Sequence, residues 1–300
     1  MTQDLHTVAD SLAWSMPILA SAGVGTPRLD AQLLLSWTMD ARREDLARAP
    51  ERILTSREWM IFAKAVSLRA ERRPLPYITG EAWFFGRSFK VNRAVLIPRP
   101  ETEILVENVL DVAGRQNQGR PMRIADIGAG SGCIAVTLAC ELPDSTVVAT
   151  DISRLALLVA GKNARRHSVS DRIELREGSL LDPFRANEKF DAIVSNPPYI
   201  ERYDEPGLMP EVRDYEPELA LYGYSAARPP CDQSAGYPRS LRNRLLESAH
   251  SHIAIGGIIA VEVGIGQAQE AAQDAIRLGY RNVQVVDDIA GIGRVVTAQV

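Results

Sequence analysis

Only three cysteines, Cys133, Cys140 and Cys231, occur in 300 residues. The set is odd and widely spaced, so it builds neither a disulfide framework nor a zinc site, and it reads as reduced thiols. Histidine is as scarce: His6, His167, His250 and His252 are scattered, and the last two would not share a helix face, so no metal centre is expected. Basic charge is not in excess. A formal net charge of −4 lacks the surplus that neutralises a phosphate backbone, so no direct sequence-specific nucleic-acid binding is expected. Long apolar runs are missing too. The longest uncharged stretches, such as Ala249 to Val261, fall short of the roughly 18 apolar residues of a bilayer span. Met1 to Asp10 holds two Asp and no Lys or Arg, the reverse of a secretory or transit leader. The chain is therefore expected in the cytoplasm and away from membranes.

What is present, 46% hydrophobic and 24% charged residues, describes a globular chain, and its length fits about two domains. Residues 1–75 stand apart: no glycine occurs between Gly25 and Gly80, and Trp14, Trp37 and Trp59 fall here. Pro27 is placed to open a helix carrying Leu29, Leu33, Leu34 and Trp37. Thr55 with Glu58 forms a capping-box pattern before Trp59, Phe62, Ala63 and Val66. The spacing predicts a small helical bundle with a tryptophan-rich core. A joint at Arg73 to Pro76 leads into Glu81 to Val95, whose aromatic and β-branched residues around Gly86 predict a hairpin, so residues 76–97 read as a β-hairpin linker. Pro100 is then placed at the start of a helix over Glu101 to Val112.

From Arg123 onward strands and helices alternate, the pattern of an α/β parallel sheet covered by helices. The predicted strands are Arg123 to Ile127, Thr146 to Thr150, Arg172 to Arg176, Phe190 to Ser195, Ile258 to Val263, Val283 to Val286 and Val295 to Val300. The predicted helices include Ile134 to Glu141, Arg154 to Arg166, Arg239 to His252 and Gln267 to Leu278. Tyr222 to Pro238, rich in Gly, Pro, Ser and Ala without periodicity, reads as a loop.

Asp126-Ile127-Gly128-Ala129-Gly130-Ser131-Gly132 joins a strand to a helix, where glycines let the backbone turn sharply and let a ligand approach bare amides. The spacing G-x-G-x-G is not that of pyrophosphate binders. Asp151 ends the next strand, where an acidic side chain accepts ribose hydroxyls. A tight structural turn would look like the glycine loop alone, but the two features together fit a cofactor with a ribose, an amino acid moiety and a sulfonium, S-adenosylmethionine.

Ser195-Asn196-Pro197-Pro198-Tyr199 follows a later strand of the same unit. Two prolines remove two backbone donors, leaving carbonyls and the Asn196 oxygen as acceptors. Such a turn suits a planar NH2 group, its hydrogens taken by Asn196 and the Pro197 carbonyl while Tyr199 packs on the flat face. A merely rigid turn is the plain alternative.

These residues, with Pro76 to Glu81, Pro98-Arg99-Pro100-Glu101-Thr102-Glu103, Glu216 to Leu221 and Asp288 to Gly291, resemble the HemK-type N5-glutamine methyltransferases of class-1 peptide chain release factors. The resemblance covers nearly the whole chain. It implies a Rossmann-like class I methyltransferase domain over residues 98–300, with a seven-stranded, mostly parallel sheet, behind an N-terminal helical domain that recognises the substrate. It implies methyl transfer from S-adenosylmethionine to the glutamine of a Gly-Gly-Gln motif. Carried over by position, Gly128, Ala129, Gly130, Ser131 and Gly132 line the methionine part of the cofactor, Asp151 its ribose, and Ser179 and Leu180 its adenine, with Asn196 also at the cofactor. Asn196, Pro197, Pro198 and Tyr199 hold the glutamine, Asn196, Pro197 and Tyr199 being the catalytic set. Ser179 stands where the family usually has Asp, which leaves backbone groups or Asp182 for the adenine. Arg99, Glu101 and Glu103 match the family pattern, although the two acids also suit a helix start. Glu262, at a strand end, is a further residue that could face the cofactor. Residues after Leu221 depart from the family's usual loop.

Two enzymes share this chemistry, a DNA amino-methyltransferase and a glutamine methyltransferase acting on large-subunit ribosomal protein three, and a non-enzymatic binding module would keep the fold. The acidic balance and the lack of an obvious domain for holding a flipped base weigh against DNA, and the Pro98 to Glu103 motif favours the release-factor branch. A monomer is expected.

Overall fold

The computed structural model of the protein describes residues 6–115, 120–224 and 237–300. The chain forms two compact units. One holds the residues up to Glu81 together with Met209–Tyr215, and the other holds Ala82–Leu208 and Glu216–Val300.

In the first unit, α1 (Val8–Ser21), α2 (Pro27–Met39), α3 (Arg43–Arg48), α4 (Ser56–Ala70) and α5 (Leu75–Thr79) pack around Leu19, Leu34, Leu35, Phe62 and Val66. The Thr55 hydroxyl accepts from the N–H of Glu58 at 3.2 Å while the Glu58 carboxylate accepts from the N–H of Thr55 at 2.7 Å, closing the predicted capping box. Pro27 opens α2 as expected. The tryptophan-rich core is not found: Trp14 and Trp37 are 39% and 42% exposed, and Leu29 is 37% exposed. The reason is polar. The buried face of α2 runs through Asp30, Ala31, Leu34 and Leu35, turned inward by Asp30, whose carboxylate accepts from the buried Arg69 guanidinium at 2.6 Å. The short helix Pro210–Arg213 (α9 in chain order) belongs here as well, since Glu211 accepts from Arg69 at 2.9 Å and from Arg72 at 2.6 Å. A buried guanidinium demands such partners.

The second unit begins with a hairpin of β1 (Glu81–Phe84) and β2 (Arg87–Lys90). Its turn residues Phe85 and Gly86 both have positive φ, 49° and 69°, the conformation that matches strand twist in two-residue hairpins. Then come α6 (Glu101–Arg115), β3 (Arg123–Ile127), α7 (Cys133–Glu141), β4 (Thr146–Asp151), α8 (Arg154–Arg166), β5 (Ile173–Glu177) and β6 (Phe190–Ser195). A 3-10 turn over Arg202–Gly207 and α10 (Glu218–Tyr222) precede α11 (Tyr237–Ala249), β7 (Ile253–Glu262), α12 (Ala268–Arg277), β8 (Arg281–Asp287) and β9 (Gly293–Gln299). Tyr222, read as loop, thus ends a helix and is buried, and α11 starts two residues ahead of the predicted Arg239. The rest of the expected loop, residues 225–236 with Cys231, lies outside the described residues. Cys133 and Cys140 are free thiols.

The large sheet has the order β5-β4-β3-β6-β7-β9-β8. Strands β3 to β7 pair in parallel, and β9 runs antiparallel to both β7 and β8. Side chains alternate across it. Ile124, Ala149, Ala192, Val194 and Ala260 face one apolar core with Leu105, Val109 and Leu138, while Ala125, Val148, Ile193, Ile259 and Val261 face another with Leu245, Leu246 and Ala275. Burial on both faces is why these strands read as continuous apolar runs. Chain order reverses between β3 and β6, and open α/β sheets bind ligands beyond the strand ends at such a point. Among the described residues no helix is long and apolar enough to cross a membrane.

Candidate functional site

A cleft opens at that reversal, lined by Gly128 to Ser131, Asp151 to Ser153, Gly178 to Leu180 and Ser195 to Pro198, and walled by Pro98, Arg99, Thr102 and Leu219. The glycine loop is held from beneath: the N–H groups of Gly128 and Ala129 both donate to the Thr150 carbonyl at 2.9 Å. Gly132 has φ of 78°, and a methyl group there would meet Cβ of Ala160 at 3.0 Å. Only glycine lets this loop turn into α7 so close to α8.

Asp126, at 0% exposure, accepts from the N–H of Ala135 at 3.1 Å through one oxygen, and the other has no partner among the described residues. Burial pushes its carboxyl up to about 7, helped by the charge of Asp151. Asp151 accepts from Gly130 N–H and Ser153 N–H, both at 2.8 Å. Burial raises its pKa against those two hydrogen bonds. One lone pair per oxygen is left for hydroxyl donors. Ser179 and Leu180 line the cleft near exposed Ile152. Leu180 has φ of 48°, and its carbonyl accepts from the Thr150 hydroxyl at 3.1 Å. Asp182 is exposed and does not line the cleft.

The Ser195 hydroxyl donates to the Ile127 carbonyl at 2.7 Å, tying the end of β6 to the end of β3. Asn196, Pro197 and Pro198 then face the cleft. The Asn196 amide nitrogen donates to the Thr102 hydroxyl at 3.0 Å, and that hydroxyl donates to Glu262 at 2.6 Å. Glu262 is therefore not at the cofactor surface. It is 2% exposed and ends β7 beneath Thr102.

Tyr199 does not line the cleft. A methyl group at Gly264 would meet its ring at 3.1 Å, and its carbonyl accepts from the Gln267 amide at 3.0 Å. Burial, with the neighbouring charge of Glu262, pushes its hydroxyl up to about 12.

The Pro98 to Glu103 motif divides its work. Arg99 donates to Glu216 at 2.6 Å, and Glu216 also accepts from the N–H of Ile97 at 3.2 Å. Glu103 accepts from the N–H of Phe85 at 2.7 Å, and Glu101 stays in the first turn of α6, where a negative charge suits the helix dipole. Sequence reading missed Thr102, Ser153 and Ile152. Thr102 lay inside a motif already singled out; the other two carried no signal beyond following Asp151.

Residues 10–80 match the family described as the PrmC N-terminal domain, and residues 100–208 the methyltransferase small domain. The release factor glutamine methyltransferase of Koribacter versatilis is 38% identical over 281 residues, covering 94% of each chain. Its namesake from Moorella thermoacetica is 41% identical over 289 residues, covering 96% of each. The solved catalytic domain of human METTL16 aligns with a TM-score of 0.53 at 16% identity over 83% of each chain, a likeness of fold.

Proposed function

The chain belongs to the release factor glutamine methyltransferases, and from that premise we propose that it transfers a methyl group from S-adenosylmethionine to the side-chain amide nitrogen of the glutamine in the Gly-Gly-Gln motif of class-1 peptide chain release factors. The observation that carries this reading is the cleft itself, which sets the Asn196-Pro197-Pro198 turn across from a glycine loop and an acidic side chain at the next strand end.

The residues present fit the cofactor. Gly128 to Gly132 offer a loop free of Cβ atoms at three positions to the methionine part, the free lone pairs of Asp151 suit ribose hydroxyls, and Ile152 with Leu180 offers apolar surface to an adenine, with Ser179 beside them. When bound, S-adenosylmethionine supplies a methyl carbon made electrophilic by a sulfonium. The protein's task is the nucleophile. An amide nitrogen donates poorly because its lone pair is conjugated with the carbonyl, so orientation does most of the work. The Asn196 oxygen and the Pro197 carbonyl accept the two N–H groups of the glutamine amide, and no proline N–H competes for them. That grip aims the nitrogen and leaves its proton to be lost after transfer. Tyr199 supports the turn from the Gly264 side. The helical unit recognises the release factor, and the enzyme works as a monomer in the cytoplasm.

Incubating the protein with methyl-labelled S-adenosylmethionine and, in parallel, a class-1 release factor, DNA, or large-subunit ribosomal protein three tests this. Label on the Gly-Gly-Gln glutamine is the expected result; label only on DNA or on the ribosomal protein overturns it.

A further inference from the structure

Building on the reading of Asn196 above, we propose that Thr102 and Glu262 are positioning residues that set which end of the Asn196 carboxamide faces the substrate. The argument is one of hydrogen-bond direction. A carboxamide presents an acceptor at one end and two donors at the other, and a flip about its last bond exchanges them with little change of shape. A flipped Asn196 would meet the substrate NH2 with its own NH2, donor against donor. Something must prevent this.

The Thr102 hydroxyl has one proton. An ionised Glu262 only accepts, so the proton lies on the 2.6 Å bond between them, and toward Asn196 the hydroxyl oxygen is left as an acceptor. The Asn196 nitrogen must take that place, at 3.0 Å, which turns its oxygen to the opposite side. Both members of the relay are 2% exposed, so water does not compete for the bonds and the direction is enforced in a low dielectric. The relay spans three elements, from the end of β7 through the first turn of α6 to the turn after β6.

Protonation removes the direction, because a neutral Glu262 can donate to Thr102 as well as accept. Burial pushes its carboxyl up to about 7 against the Thr102 hydrogen bond; Glu101 adds to the rise, and Arg294 and Arg99 oppose it. Tyr199 and Cys133 are the other titratable groups that feel its charge. The polarising form is thus present above about pH 7 and lost as pH falls through it.

The test is steady-state methylation of a class-1 release factor across pH by wild type, T102V, T102S, E262Q and N196A, with cofactor affinity measured by calorimetry. T102V should lose about ten- to a hundredfold in kcat, the range for losing a charge-assisted hydrogen bond, and T102S should recover most of it. S-adenosylmethionine affinity should be unchanged in both. E262Q should lack the fall in kcat below about pH 7 that wild type shows. T102V added to N196A should cost nothing further, since the relay acts only through Asn196; an additive loss would mark a merely structural role and overturn the proposal. Should T102V not fold, the isosteric E262Q and its pH profile decide. Wild-type kcat and pH profile in T102V and E262Q, with N196A impaired, would overturn the relay and leave the reading of Asn196 standing. Full activity in N196A would overturn both.

Discussion

The N–H of Gly130 donates to the carboxylate of Asp151 at 2.8 Å, joining the glycine loop after β3 to the end of β4. One side chain thereby shapes the loop and offers its remaining lone pairs to the cleft. Asp151→Ala should weaken S-adenosylmethionine binding by about tenfold to a hundredfold, the worth of hydrogen bonds to a charged group. The sheet core beneath is apolar and independent of it, so the fold should persist. Calorimetry gives the affinity and circular dichroism the fold; an unaltered affinity would contradict the ribose assignment.

Asn196→Ala removes the one side-chain acceptor of the proline turn while leaving the Pro197 carbonyl in place. The expected loss in kcat is about 10² to 10³, the scale for deleting one preorganised polar contact at a reacting centre. Binding of S-adenosylmethionine alone should change much less, so single-turnover methylation with saturating cofactor is the measurement that checks it. Unchanged turnover would remove Asn196 from the mechanism.

Residues close in sequence made the site readable: the glycine loop and the Asn196 to Tyr199 turn each sit within a few positions after a strand, where topology directs them to the cleft. Asp151 was legible for the same reason. The relay was not, because Thr102 and Glu262 are 160 positions apart and only sheet order brings α6 over the end of β7. The Tyr199 ring illustrates a different limit, since residue type alone does not say whether an aromatic faces the cleft or Gly264. In the helical unit, apolar periodicity located α2 and α4 but misjudged the inner face, because Asp30 competes for it through Arg69. Nothing local marks Glu211 as that guanidinium's second partner, 142 positions from it.

Gly132→Ala should destabilise the protein by about 1 to 3 kcal/mol, from a non-glycine residue at positive φ and from overpacking against Ala160. The two causes separate in a double-mutant cycle. In an Ala160→Gly background the contact at 3.0 Å is gone, so Gly132→Ala should cost less there than in wild type, while the backbone strain remains. Chemical denaturation of the four proteins gives the coupling. Equal costs in both backgrounds would assign the whole effect to backbone strain.

Glu211 ties the segment after Leu208 into the helical unit, and its ionisation should make that tie depend on pH. Burial works against the charge, yet the guanidinium of Arg72, aided by Arg69, holds the carboxyl down at about 2. A depressed folded pKa contributes stability that is complete above the unfolded value near 4.3 and disappears as pH falls from there through the folded value. Glu211→Gln should therefore cost about 2 to 3 kcal/mol at neutral pH, the loss of charged hydrogen bonds with Arg69 left partly uncompensated. The gap between variant and wild type should narrow as pH drops from about 5 toward about 2. Urea denaturation followed by tryptophan fluorescence measures this in the relevant unit, since Trp14, Trp37 and Trp59 all lie there. A gap that stayed constant over that range would show that the charge of Glu211 is not what holds the segment.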